Sequence, residues 1–248
     1  MALFSSSLIG YGNFLFKYRN MVFPAVLLLL LAGFKPGHTA GNGSYDIYLV
    51  AAGILIIISG QAIRAMVIGL AYIKRGGLNK KVHADDLVST GIFAHCRNPL
   101  YLGNLLIVLG LLVVHNNFWV YAIGLGFFLV SYSAIVIAEE TYLQNKFGDE
   151  YTAYCNKTGR WSFNFHGLGK TFEDMQFNWR RVILKDYTTM MTWTTTLGLL
   201  LIWRTVTFQG LRNSGVTITY MTTAIALLLM TGLGVRLLKK SGRLSEGN

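Results

Sequence analysis

Two short polar clusters flank a pair of apolar runs: His95-Cys96-Arg97-Asn98-Pro99 and Glu139-Glu140. Asn98-Pro99 reads as a helix start. Asn is a favoured N-cap, and Pro fits the first turn, where its missing N–H costs nothing. A helix N-terminus offers N–H donors and positive potential to an anion. Arg97 adds a guanidinium that can grip a carboxylate with two hydrogen bonds. The glutamates offer a place for a cation. Together the clusters suit a zwitterion with carboxylate and ammonium ends, such as an amino acid. A plainer reading of the same residues puts Arg97 on lipid phosphate and leaves the glutamates solvating a helix end.

The elements that must position these groups follow from the runs between them. Two apolar stretches meet at His115-Asn116-Asn117, a turn tight enough for an antiparallel helical hairpin. The rise from Tyr101 to His115 is about 21 Å, and from Asn117 to Glu139 about 33 Å. The second helix therefore overshoots the start of the first by about 12 Å, and the glutamates stand on the overshoot.

The rest of the chain sets the medium. Of 248 residues, 53% are hydrophobic and 13% charged; a soluble domain carries about 25% charge. Three prolines and two cysteines exclude a collagen-like chain and a disulfide scaffold. A spanning helix needs about 20 mostly apolar residues. Six segments read this way, near 20–34, 47–73, 99–114, 118–138, 188–203 and 216–235. The runs Ala25–Ala32 and Leu105–Val114 do not alternate as barrel strands do. The expected fold is all-α: a polytopic membrane helix bundle with about six transmembrane helices and a cytoplasmic cap after the fourth. Its expected parts are an N-terminal segment with the first span (1–46), a core with the hairpin and cap (47–187), and two further spans with a basic tail (188–248). His38-Thr39-Ala40 loosely resembles a signal cleavage site, but twenty residues precede the first apolar run.

Orientation follows from Lys and Arg. With the N-terminus inside, 18 of them fall on the cytoplasmic side and only Lys35, Arg204 and Arg212 outside, with Arg64 in the membrane. Both termini and both cysteines are then cytoplasmic, and water-soluble chemistry faces the cytoplasm. The net charge of +11 points to anionic membrane lipids as partners rather than nucleic acid.

The residues in these clusters now carry a resemblance. His95-Cys96-Arg97-Asn98-Pro99-Leu100-Tyr101-Leu102-Gly103, a hydrophobic hairpin, then Glu139-Glu140 and the tyrosines after Phe147-Gly148 resemble the isoprenylcysteine carboxyl methyltransferase and phospholipid methyltransferase superfamily. The similar stretch is about 60–161. The resemblance implies S-adenosylmethionine as cofactor, held in a helical membrane fold, and a lipid-like or apolar acceptor entering from the bilayer. It implies cofactor contacts from His95, Arg97, Asn98, Tyr101, Leu102, Gly103, Glu140, Tyr151 and Tyr154. Glu139 is then the expected group near the transferred methyl, able to act as a base toward an amine. Two departures stand out. Ile135 occupies the position of a basic residue found in similar prenylcysteine enzymes, and Asn98 replaces a more familiar His.

Arg64 lies about nine residues inside the second span. An ionisable residue at that depth is costly and usually functional; it is either a catalytic cation, a snorkelling side chain or the partner of an acid. Tyr151 and Tyr154 could cover an adenine ring or simply belong to the membrane interface. Residues 171–185 read as an amphipathic interfacial helix, with Thr171 and Asp174 forming a cap. His95, Cys96, Cys155 and His166 lack metal-ligand spacing, so no metal is expected. Two alternatives stay open beside the methyltransferase: an NADPH-dependent membrane reductase of sterol-reductase-like type, and a non-catalytic membrane protein on the same scaffold.

Overall fold

A computed structural model describes residues 2–38, 45–70, 84–173 and 176–244. Among them the chain is all helical. In order come α1 (Ala2–Gly33), α2 (Asp46–Leu70), a short 3-10 turn (Gly91–Ala94), α3 (Pro99–His115), α4 (Phe118–Lys157), α5 (Leu168–Glu173), α6 (Trp179–Gln209) and α7 (Gly215–Lys240). Four stretches are long and apolar enough to cross a membrane: Ser6–Gly33, Asp46–Leu70, Phe118–Lys157 and Gly215–Lys240. The chain is an integral membrane protein of helical-bundle type.

Three expectations about elements change. The first apolar segment is the second half of a 32-residue helix, not a short one, because the preceding Ser6–Asn20 also packs: Leu15 and Phe16 are buried against Ile135. The interfacial helix over 171–185 is not formed. α5 ends at Glu173, and Trp179 to Lys185 are the opening turns of α6, which runs on unbroken through 31 residues. Asp174 and Met175, part of that expectation, lie outside the described residues, as do Lys74, Arg75, Lys80 and Lys81 of the charge count and residues 39–40 of the cleavage-like site. Third, α3 and α4 are joined by the expected tight turn, with Asn116 in the left-handed region at φ 55°, but they do not form the principal packing pair.

Glycine decides the packing instead. On α2, Gly53 and Gly60 face α3; on α3, Gly103 and Gly110 face α2. Each pair is seven residues apart, so small residues recur along one face and let the backbones approach. A Cβ at Gly103 would lie 2.8 Å from the Gly60 carbonyl oxygen and 2.7 Å from Arg64 Cγ. Gly103→Ala is therefore expected to destabilise the bundle by about 1–3 kcal/mol through overpacking. Thermal unfolding in detergent reads this, and an unchanged midpoint would show that the two helices can part freely. α4 packs antiparallel on α1: Tyr11 Oη lies 3.2 Å from Ser131 Oγ, and Phe23 meets Phe127, Phe128 and Tyr132 edge-on. With α3 drawn to α2 and α4 to α1, space opens between the two pairs at the end where α3 begins.

α6 closes that space. Its charges give it a lower apolar content than its neighbours, yet Asp186 is fully buried and Arg204 nearly so. Both are paired to α2. Arg64 donates to Asp186 near one end, and Arg204 Nη2 donates to Asp46 at 3.0 Å near the other. In each helix the acid and the arginine are eighteen residues apart, so two reciprocal ion pairs stand about 27 Å apart along antiparallel helices. That separation approaches the hydrocarbon thickness of about 30 Å. Gln61 joins the first pair, donating to Asp186 at 2.7 Å while accepting from Trp193 Nε1 at 2.8 Å.

Candidate active site

The space between the helix pairs is a cavity of about 660 Å³. At its polar end stand Arg97, Asn98 and Tyr101 of α3 and its approach, Glu139 of α4, Arg64 of α2, Arg19 of α1 and Lys185 of α6. Its other end is apolar, floored by Leu27, Leu111 and Phe128, all buried in the main core. Tyr101 links two of the polar groups. Its hydroxyl donates to Glu139 Oε1 at 2.8 Å and accepts from Arg19 Nη1 at 2.7 Å. Arg64 is pinned on three sides, donating to Asp186, to Asn104 at 2.5 Å and to Thr189 at 3.2 Å.

Adjacent residues on a helix point about 100° apart, and the two glutamates diverge accordingly. Glu139 turns to Tyr101 and the cavity. Glu140 turns to a second group just outside it, where Arg160 grips its carboxylate with two hydrogen bonds, at 3.1 and 2.6 Å. Arg97 Nη1 lies 3.3 Å from the same carboxylate and also donates to the Cys155 sulfur. Burial alone would lower the Arg97 pKa, but the Glu140 carboxylate, with Cys155 and Tyr151 adding to it, outweighs burial and leaves it raised. Arg97 thus lines the cavity and also belongs to the Glu140 group.

The segment that presents Arg97 is held by the stretch after α4. Arg97 N–H donates to Gly159 O at 3.0 Å, Asn164 N–H to His95 O at 2.9 Å, and the Tyr154 hydroxyl to Phe93 O at 2.8 Å. The His95 ring is bridged between Asn164 O at 2.6 Å and Thr171 Oγ1 at 2.9 Å. α4 reaches this stretch by bending at Gly148, whose φ of 51° is in the left-handed region that glycine tolerates. Cys96 is fully buried beneath the clasp, and burial pushes its thiol up, so it stays protonated at neutral pH.

The expected residues therefore divide. Arg64, Arg97, Asn98, Tyr101 and Glu139 line the cavity. Glu140 lies beside it on Arg97, and Tyr151 and Tyr154 pack with Leu143 and Ala84 in a small core under the cap. His95 ties the cap, Gly103 faces α2, and Leu102 does not line the cavity. Arg19 and the α6 wall were not singled out in the sequence. Arg19 precedes the first apolar run and looks like an ordinary flanking charge; only the helix continuing through it brings it to Tyr101.

Residues 48–150 match the family model for phospholipid methyltransferase. Over these residues, 103 of the chain's 248, it is similar to the phospholipid methyltransferase family. The matched stretch contains all but the first two residues of α2, the whole of α3 and the part of α4 that carries both glutamates, so the cavity's polar end is largely built from matched residues. α1, α6 and α7 lie outside it. The cobalt-zinc-cadmium resistance protein CzcN of Cupriavidus metallidurans is 27% identical over 146 residues, 59% of this chain and 64% of that protein. The nickel-cobalt-cadmium resistance protein NccN of Alcaligenes xylosoxydans xylosoxydans is 25% identical over 146 residues, 59% of this chain and 65% of its own. The match thus spans a little under two thirds of either relative. An uncharacterized protein of Haemophilus influenzae is 40% identical over 62 residues, 25% of this chain and 78% of that protein. No solved structure matches the chain. Among the described residues no three His, Cys, Asp or Glu side chains gather so as to hold a metal ion.

Proposed function

We propose that the protein is a methyltransferase that moves a methyl group from S-adenosylmethionine to an amphiphilic acceptor held in the membrane. The observation that carries the reading is a guanidinium–carboxylate pair, Arg97 and Glu140, set at the start of a family helix beside a cavity with an apolar floor. The residues fit the cofactor's amino-acid end. Asn98 does not cap α3 with its side chain, which donates instead to Arg160 O at 3.3 Å. The first-turn N–H groups of α3 therefore remain donors for a carboxylate. Arg97 Nε is also buried without a partner. Glu140 offers the complementary acceptor for an ammonium. When bound, S-adenosylmethionine supplies an electrophilic methyl group.

The chain's own contribution is positioning and exclusion of water, which can supply several kcal/mol of the barrier. Among the described residues Glu139 is the single carboxylate lining the cavity, and it is oriented by Tyr101. It is the group placed to accept a proton from an acceptor that must lose one. The cap, with His95 clamped at its centre, keeps Arg97 in place.

Calorimetry with purified protein tests the cofactor: binding of S-adenosylmethionine and its demethylated product is expected, and none of NADPH. The reverse pattern moves the protein to the reductase reading. Labelled methyl groups should appear in an organic extract of membranes that contain the protein.

The site is proposed to face the cytoplasm, with both termini inside. In a cysteine-free background, Asn213→Cys should react with an impermeant maleimide on intact cells, and Lys157→Cys only after permeabilisation. Both positions are exposed. Labelling of Lys157→Cys on sealed cells inverts the arrangement.

A further inference from the structure

The cavity's wall on α6 lies outside the family-matched stretch, and its chemistry differs from the polar end. Thr188, Thr189, Thr192, Trp193 and Thr196 form it. Their hydroxyls are largely spent. Thr192 donates to Thr188 O and Thr196 to Thr192 O, each at 2.8 Å, and Thr189 accepts from Arg64. Trp193 turns its N–H away to Gln61. What remains toward the cavity is small, smooth surface that offers few free donors. Phe23 and Leu27 of α1 line the cavity with it.

Charge gives this channel a direction. Four cationic side chains, Arg19, Arg64, Arg97 and Lys185, line the polar end against one carboxylate, Glu139. Arg64 is matched by Asp186 and Arg97 by Glu140. Among the described residues Arg19 is held by the Tyr101 hydroxyl and by the faces of Phe16 and Tyr101, with no carboxylate on it. From Arg19 to Leu27 the channel is about 12 Å deep, and along α6 from Lys185 to Thr196 about 16 Å. A cavity of about 660 Å³ is in the range that takes one drug-sized molecule, which a head group with one tail fills and two tails exceed.

We infer that the cavity takes a single-tailed amphiphile with an anionic head at Arg19, and that Thr192 and Thr196 on α6 are specificity residues that gauge its tail. The tail lies between α1 and α6 and ends at Leu27, Leu111 and Phe128. This rests on the proposed reading for the amphiphile's role as methyl acceptor, but not for its binding. α6 acts as a ruler beside a family core that supplies the cofactor end.

The test uses the full chain in detergent and reads tryptophan quenching by ω-bromooctanoic, ω-bromododecanoic and ω-bromohexadecanoic acids. Saturable quenching by the dodecanoic acid is expected, and its loss in Trp193→Phe. Thr196→Leu should weaken the dodecanoic acid at least about tenfold while leaving the octanoic acid within about twofold. Leu111→Ala, which deepens the floor, should move the preference toward the hexadecanoic acid. The two variants shift length in opposite directions, so loss of folding in one leaves the other decisive. Quenching that persists in Trp193→Phe, or variants that affect all three lengths equally, overturns the ruler. S-adenosylmethionine calorimetry on the same wild-type sample separates the two ideas: length-dependent binding without cofactor binding sinks the methyltransferase alone, and cofactor binding without length dependence sinks the ruler alone.

Discussion

Alanine at Arg97 is expected to weaken S-adenosylmethionine binding at least about thirtyfold while leaving the bundle folded. Arg97 and Glu140 are both largely buried and lie 3.3 Å apart. Truncating one member of a buried, hydrogen-bonded charge pair at a binding site costs about 2–5 kcal/mol, and thirtyfold is the lower end of that range. Folding should survive because Arg160 stays on Glu140, so the carboxylate is not orphaned. Glu140→Ala should weaken binding by a similar factor. Glu139→Ala should leave cofactor affinity within about threefold and lower methyl transfer instead, since Glu139 faces Tyr101 and the cavity. Arg97→Lys keeps the charge but loses the fork geometry, and should fall between wild type and alanine. Isothermal calorimetry measures all four. If Arg97→Ala and Glu140→Ala bind the cofactor as the wild type does, the two residues merely solvate helix ends.

Removing Asp186 should have the largest effect on stability. Its carboxylate is fully buried, and it is the acid that matches Arg64. Breaking a buried pair by deleting one partner costs about 3–5 kcal/mol, because the other charge stays buried and uncompensated. Asp186→Ala should therefore unfold far more readily than wild type in detergent. The double replacement Arg64→Met with Asp186→Leu should recover most of that loss, since apolar side chains of similar size often replace such a pair at no cost. The pair's coupling then appears as strong non-additivity. An Asp186→Ala protein within about 1 kcal/mol of wild type would mean that Asn104 and Thr189 suffice to hold Arg64.

Local chemistry was legible from residues alone. Asn98 and Pro99 start α3, His115 ends it, and Phe118 opens α4 after a two-residue turn. The divergence of Glu139 and Glu140 followed from helical periodicity. The pairing of helices was not legible. A tight turn suggests that α3 and α4 pack together, but the decisive contacts are the glycine faces of α2 and α3, seven residues apart on each. The offset of about 12 Å was counted along the helix axes alone; the long side chains of Tyr101 and Glu139 close it and meet at 2.8 Å. Arg19 was missed because apolar content marks where lipid begins, not where a helix does. Arg64 was visible as an expensive charge, and an acid was among its possible partners. Which acid could not be read, since Asp186 fell between the expected surface helix, which ended at Lys185, and the expected span, which began at Thr188; α6 runs unbroken through it.

The reciprocal ion pairs between α2 and α6 also set an order of events during synthesis. Arg64 is made 122 residues before Asp186, and Asp46 158 residues before Arg204. At about 5–20 residues per second, Arg64 waits roughly 6–24 s for its acid. An arginine within a membrane helix is costly until it is paired. Asn104, only 40 residues behind Arg64, is the first partner to arrive. α2 and α3 therefore associate early, with an unneutralised charge kept at their shared surface. A ribosome that stalls or terminates before Asp186 releases a chain whose Arg64 lacks its carboxylate partner.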